Sequence, residues 1–118
     1  MKQSHVLQLA CEPLPIVRIG FIGLGNRGMA TLRRYLVIGG VEIVALCDIH
    51  RAHLDEASAV IAADGKYTPC LLNAQDGWKQ MCQRDDIDLI YICTDWLTHA
   101  PMACYAMEHG KHVAIEVP

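Results

Sequence analysis

The sequence predicts an α/β fold, a doubly wound parallel sheet of about five strands covered by helices. Three observations carry that prediction. Apolar, β-branched runs recur along the chain and alternate with stretches of helical periodicity. The first run feeds directly into the turn Gly23-Leu24-Gly25-Asn26-Arg27-Gly28, and a helical pattern begins at once behind it. Hydrophobic residues make up 53% of the 118 residues and charged ones 19%, a balance that suits a sheet buried on both faces rather than a disordered chain. That length suffices for one compact domain and is short for two.

Taken in order, residues 1–15 read as an irregular leader, because Pro13 and Pro15 resist regular structure. The domain is expected to occupy residues 16–118. Ile16 to Ile22 is an almost continuous apolar run, the pattern of a central parallel strand. From Asn26 to Ile38 the period changes: Met29, Leu32 and Leu36 would face the sheet, Arg33 and Arg34 would face water, and Gly39-Gly40 would stop the helix. Val41 to Cys47 is a second buried strand closed by Asp48, and a helix follows from Arg51 to about Ala63 with Gly65 as its terminator. Lys66 to Leu71, interrupted by Pro69, reads as a brief edge strand. Asn73 is expected to cap a helix running to about Gln83. Ile87 to Cys93 is the fourth strand. Thr98 would cap the next helix, with Pro101 in its first turn and Gly110 after its last periodic residue. His112 to Val117 is the fifth strand.

The three glycines of the turn have separable jobs. Gly23 allows a tight bend after a strand, Gly25 lets backbone approach a pyrophosphate, and Gly28 lets the helix pack closely. The first helical amides have no partner inside the helix and carry the positive end of its dipole, so they suit a phosphate. Asp48 follows Gly28 by twenty residues, the placement expected of an acidic residue that accepts hydrogen bonds from an adenosine ribose. Strand, glycine turn, helix and Asp48 together specify a Rossmann-type dinucleotide site. The negative charge of Asp48 disfavours a 2′-phosphate, so NAD is the expected cofactor. The polar stretches after Ile22, Cys47 and Cys93, including Thr94, would share one rim at the carboxyl ends of the strands.

A net charge of −3 gives no general attraction to nucleic acid or to an anionic membrane. Six cysteines without a C-x-x-C read as buried free thiols in a reducing compartment. Residues 1–10 lack the apolar core of a signal peptide, which points to the cytoplasm. His50 with His53, and His109 with His112, are each three apart, yet no further ligands are placed nearby and a solvated role is expected for both pairs. Asp85, Asp86 and Asp88 read as turn and strand-entry residues. No Ser-His-Asp or paired-carboxylate arrangement is visible, so no catalytic residue and no metal ligand is nominated.

From about Val17 to Pro118 the sequence resembles the N-terminal domain of the Gfo/Idh/MocA family of nicotinamide-dependent oxidoreductases. The resemblance rests on Gly23 to Gly28, Cys47-Asp48, the segment Thr94 to Pro101, and the segment His109 to Pro118. It implies that a second, sugar-binding domain supplies the catalytic side chains and is absent from these 118 residues. Two departures narrow it. Many members have Thr-Pro-Asn where this chain has Thr94-Asp95-Trp96, and most have Glu-Lys-Pro where it has Glu116-Val117-Pro118. Valine can do none of the proton handling of the missing lysine. The Trp96-x-x-His99 and Glu116-Val117 pattern is similar to glycoside hydrolase family 109. That resemblance implies hydrolysis through transient oxidation of a sugar, with NAD reduced and reoxidised in each cycle. It also implies that Asn26, Arg27, Asp48, Trp96, Leu97, Thr98, His99, Glu116 and Val117 line the cofactor.

The expected function is therefore the NAD-binding domain of such an enzyme, probing a sugar or glycoside through its second domain. Two alternatives stand beside it: the cofactor domain of a sugar or polyol dehydrogenase, and a self-standing nucleotide-sensing module. Alone, the 118 residues are expected to bind cofactor without catalysis, and to self-associate through apolar surface at the edge of the fifth strand.

Overall fold

The computed structural model describes residues 10–117, and the apolar run after Pro15 forms its central strand, β1 (Val17–Ile22). Behind it follow α1 (Asn26–Tyr35), β2 (Val41–Cys47), α2 (Arg51–Asp64), β3 (Cys70–Leu72), α3 (Gly77–Cys82), β4 (Leu89–Ile92), α4 (Trp96–Glu108) and β5 (His112–Ile115). All neighbouring strands pair in parallel, in the order β3-β2-β1-β4-β5. The chain thus winds outward from β1 in one direction, returns, and winds outward in the other. The crevice opens where that direction changes, beside β1. Residues 10–16 form no helix or strand; the rest of the expected leader, and Pro118, lie outside the described residues.

Strand alternation divides the core into two layers. Phe21, Ile43 and Leu46 face α1 and α2, meeting Leu32, Leu54 and Ile61; Ile22, Ala45 and Ile90 face the other side, meeting Met81, Met102 and Ala106 of α3 and α4. Each fully buried Leu, Ile or Phe contributes about 1.5–3 kcal/mol of transfer free energy. On the α1 side, Phe21, Tyr35 and Tyr91 form a three-ring cluster with centroids 5.5–6.0 Å apart.

Strands β4 and β5 are shorter than expected, stopping at Ile92 and Ile115, and four further boundaries differ, each for a physical reason. Helix α1 stops at Tyr35, because Val37 and Ile38 are exposed and the chain turns through i→i+3 bonds into Gly40, whose φ is +80°. Strand β3 begins only at Cys70, past Pro69. Asn73 caps no helix: its side-chain amide donates to the carbonyls of Asp48 and Ile49 and ties the loop after β2 to the loop after β3. Helix α4 is capped by Asp95, whose carboxylate accepts from the Thr98 amide at 3.0 Å. Thr98 is inside the helix, and its hydroxyl donates to Thr94 Oγ1 at 2.8 Å. Pro101 consequently sits in the second turn rather than the first, and lacks the N–H that would bond to the Leu97 carbonyl.

Candidate cofactor-binding site

A cleft of about 400 Å³ opens at the carboxyl ends of the strands, floored by Ile22 and Gly23 and walled by Asp48, Thr94 and Thr98. Its volume falls in the range of small-molecule sites, about 300–1,000 Å³. The glycine turn borders this cleft through Gly23 and Gly25. Gly23 has φ +93°, and a Cβ there would lie 2.4 Å from the Cys93 carbonyl oxygen. A Cβ on Gly28 would lie 2.1 Å from the Gly23 carbonyl oxygen, so the third glycine closes α1 onto the turn itself. Gly25 differs: nothing lies within 4 Å of its missing Cβ, and it borders the cleft. The first amide–carbonyl bond of α1 runs from Met29 to Gly25 at 2.9 Å, so the amides of Asn26, Arg27 and Gly28 precede the helical ladder, and no side chain caps them. Open space above Gly25 therefore faces unsatisfied donors at a helix N-terminus, which suits a pyrophosphate.

Asp48 closes the end of β2 and is buried, 8% exposed. Its Oδ2 accepts from the Leu24 amide at 2.8 Å, and its Oδ1 accepts from the His50 amide at 2.8 Å. His53 Nδ1 lies 2.9 Å from Oδ2. The carboxylate thus joins the glycine turn to the start of α2. Both histidines border the cleft, His50 and His53 having ring centroids 5.0 Å apart. Both rings keep the solvent exposure expected for this pair, and they also border the cleft. The signal was an acidic residue followed five positions later by an imidazole on the first turn of a helix. Gln75 and Trp78, which border the far side, carried no sequence signal because β3 and α3 were the least regular stretches.

The segment after β4 divides. Thr94 and Thr98 border the cleft, whereas Trp96 and Leu97 are not part of its lining and are 75% and 89% exposed. His99 is 5% exposed, and neither ring nitrogen finds a hydrogen-bond partner among the described residues. Glu116 accepts from the Tyr91 hydroxyl at 2.6 Å and lies 4.0 Å from the Arg27 guanidinium, while Val117 is exposed. Burial, then the neighbouring hydrogen bond to Glu116, pushes the Tyr91 phenol up to about 12. The thiols that border the cleft are also held protonated: burial and the charge of Asp48 push Cys47 up to about 12, and burial and Glu116 push Cys93 up to about 11. They contribute shape rather than nucleophilicity.

Residues 17–118 match the Gfo/Idh/MocA oxidoreductase family, described as an NAD-binding Rossmann fold. The chain belongs to that family. This Gfo/Idh/MocA domain is 63% identical over 116 residues, 98% of its length, to an alpha-N-acetylgalactosaminidase of Bacteroides fragilis, of which it covers 27%. It is 47% identical over 118 residues to a glycosyl hydrolase family 109 protein of Phocaeicola vulgatus, covering 29% of that protein. The chain therefore spans little more than a quarter of the curated relatives it matches. Among solved structures it is similar to myo-inositol dehydrogenase of Lactobacillus casei in complex with NAD(H) and myo-inositol, with a TM-score of 0.71, 26% identity, 87% of this chain covered and 29% of that one. The apo scyllo-inositol dehydrogenase of the same organism gives a TM-score of 0.76 at 25% identity, covering 89% and 29%. The open space over Gly25, the free first-turn amides and the carboxylate at the end of β2 fit NAD, the cofactor of the family.

Proposed function

We propose that this chain is the cofactor-binding domain of a longer NAD-dependent glycosidase of the family 109 kind, with residues 16–118 as the domain and residues 1–15 as a leader. When bound, NAD supplies a hydride acceptor that returns what it takes. The chain's own contribution is binding and orientation. The first-turn amides of α1, reached over Gly25, would hold the pyrophosphate, with Gly23, Asn26, Arg27 and Gly28 shaping the turn. Asp48 would hold the adenosine ribose. Thr94 and Thr98 would border the nicotinamide half, with Trp96, Leu97, His99, Glu116 and Val117 on the same rim.

The observation that carries the glycosidase reading is the 63% identity to an alpha-N-acetylgalactosaminidase across nearly the whole chain. Glu116-Val117, where dehydrogenases of the fold commonly have lysine second, supports it. Catalytic proton transfer is assigned to a further domain that binds the sugar, so these 118 residues alone bind cofactor and catalyse nothing. We place the protein in the cytoplasm, in keeping with its buried free thiols Cys47 and Cys82. Among the described residues no helix is long and apolar enough to cross a membrane.

The likeness to inositol dehydrogenases supports a second reading, a sugar or polyol dehydrogenase. The longer parent protein separates the two. With an aryl α-N-acetylgalactosaminide and a substoichiometric amount of NAD, it is expected to release the phenol over many turnovers without accumulating NADH. Stoichiometric NADH formation from a free sugar or polyol, with no phenol release, would establish the dehydrogenase instead.

A further inference from the structure

Asp48 is fixed without His53. One backbone amide holds each of its carboxylate oxygens, His50 N–H on Oδ1 and Leu24 N–H on Oδ2, both at 2.8 Å. The imidazole adds a third contact, 2.9 Å from Oδ2, from a side chain that is itself 38% exposed and borders both the main cleft and a smaller cavity beside the turn. An ionised carboxylate only accepts, so Nδ1 carries the proton it shares with Asp48 and a second proton would enter at Nε2. What His53 can change is therefore the charge that Asp48 shows to the cleft.

We propose that His53 is a second determinant of cofactor choice. Neutral, it leaves the Asp48 charge to repel the 2′-phosphate of NADP. Protonated, it sets a positive charge beside that carboxylate and relaxes the discrimination. This rests on the cofactor reading above. Of the other charged groups around the pair, those in two ion pairs offset each other, while Asp95, which borders the same cleft, adds a negative charge unpaired among the described residues. On the α1 side Arg33 lies 3.8 Å from Glu56 of α2, and both border the smaller cavity with His53. Arg51 is tied to Asp55 at 3.0 Å. His50, with its ring centroid 5.0 Å from that of His53, makes no contact with the carboxylate through its ring; only its amide does.

Calorimetric titration of the longer parent protein with NADH and with NADPH, from about pH 5.5 to about pH 8.5, tests this. The ratio of the two dissociation constants is the readout. Because the 2′-phosphate titrates in the same range, His53→Ala and His53→Gln supply the baseline. In the unaltered parent the preference for NADH is expected to narrow towards acid pH by about tenfold more than in either variant. Equal pH dependence in the parent and both variants, with NADH still binding, would overturn this inference alone and trace the effect to the phosphate or to His50. Failure of both dinucleotides to bind at any pH would overturn the cofactor reading and this inference with it.

Discussion

Gly25 and Gly28 stand three residues apart in one turn and answer to different constraints. Gly25 has φ −72° in the extended region and open space where a Cβ would be. Gly25→Ala is therefore expected to leave stability within about 0.5 kcal/mol of the original, or slightly above it. The same methyl group would occupy the space above the first-turn amides, so NADH affinity should fall by more than about tenfold, the loss of about 1.4 kcal/mol of phosphate contacts. Gly28→Ala pushes a carbon to 2.1 Å from a backbone oxygen, and is expected to cost about 3 kcal/mol of stability. Denaturant unfolding and calorimetry on the two variants measure both effects. If Gly25→Ala binds NADH normally, the pyrophosphate does not cross that glycine. Their offsets were legible in the sequence because each glycine's task is set within six residues. The place of His53 was not, since it depends on how the loop after β2 turns Asp48 back towards Leu24.

At the scale of elements, β1 and β4 are joined at their starts by Arg18 and Asp88. Arg18 donates to Asp88 through its backbone amide at 2.9 Å and its guanidinium at 3.0 and 3.1 Å, while the Asp88 carbonyl accepts from His112 of β5 at 2.9 Å. The Arg18 side-chain hydrogen bonds hold the Asp88 carboxyl below its usual range. A carboxylate depressed on folding stabilises the protein above its unfolded pKa, near 3.9, and that stability is lost as pH falls through the lower folded value. Asp88→Asn is therefore expected to cost about 1 kcal/mol at neutral pH, modest because Arg18 is partly solvated, and progressively less below about pH 4. Urea midpoints at the two pH values test this; an equal loss at both would show that the carboxylate's charge contributes nothing. The strands themselves were legible because β-branched runs are local patterns. Helix ends were legible where a glycine marks them, as at Gly65 behind α2, and not where a side chain does. Asp95 caps α4 because β4 delivers the chain in an extended conformation at Asp95, and Asn73 serves a neighbouring loop that lies 24 or 25 residues away in sequence.

For the whole molecule, the rim that carries the cleft also carries a group of exposed apolar side chains. Ile92 and Ile115 are register partners, so the residues following β4 and β5 emerge side by side. There Trp96, Leu97 and Val117 are 75–89% exposed and Ile115 is 42% exposed. Exposed apolar surface beside a sheet edge favours association, and the outer edge of β5 pairs with no strand among the described residues. Self-association of the 118-residue chain is the expected outcome, with the mass measured by light scattering rising with concentration. Two sources can be separated. Trp96→Ser with Leu97→Asp removes the apolar patch and leaves the backbone edge intact, so a monomeric double variant would locate the contact in side chains at the start of α4. Association that persists in that variant would locate it in strand pairing at β5. An unaltered chain that stays monomeric over a wide concentration range would show that neither surface is sticky enough to act alone. The cleft lies on the same rim, so NADH should weaken any contact through α4 that covers Thr98, while a contact through the outer edge of β5 should be indifferent to it.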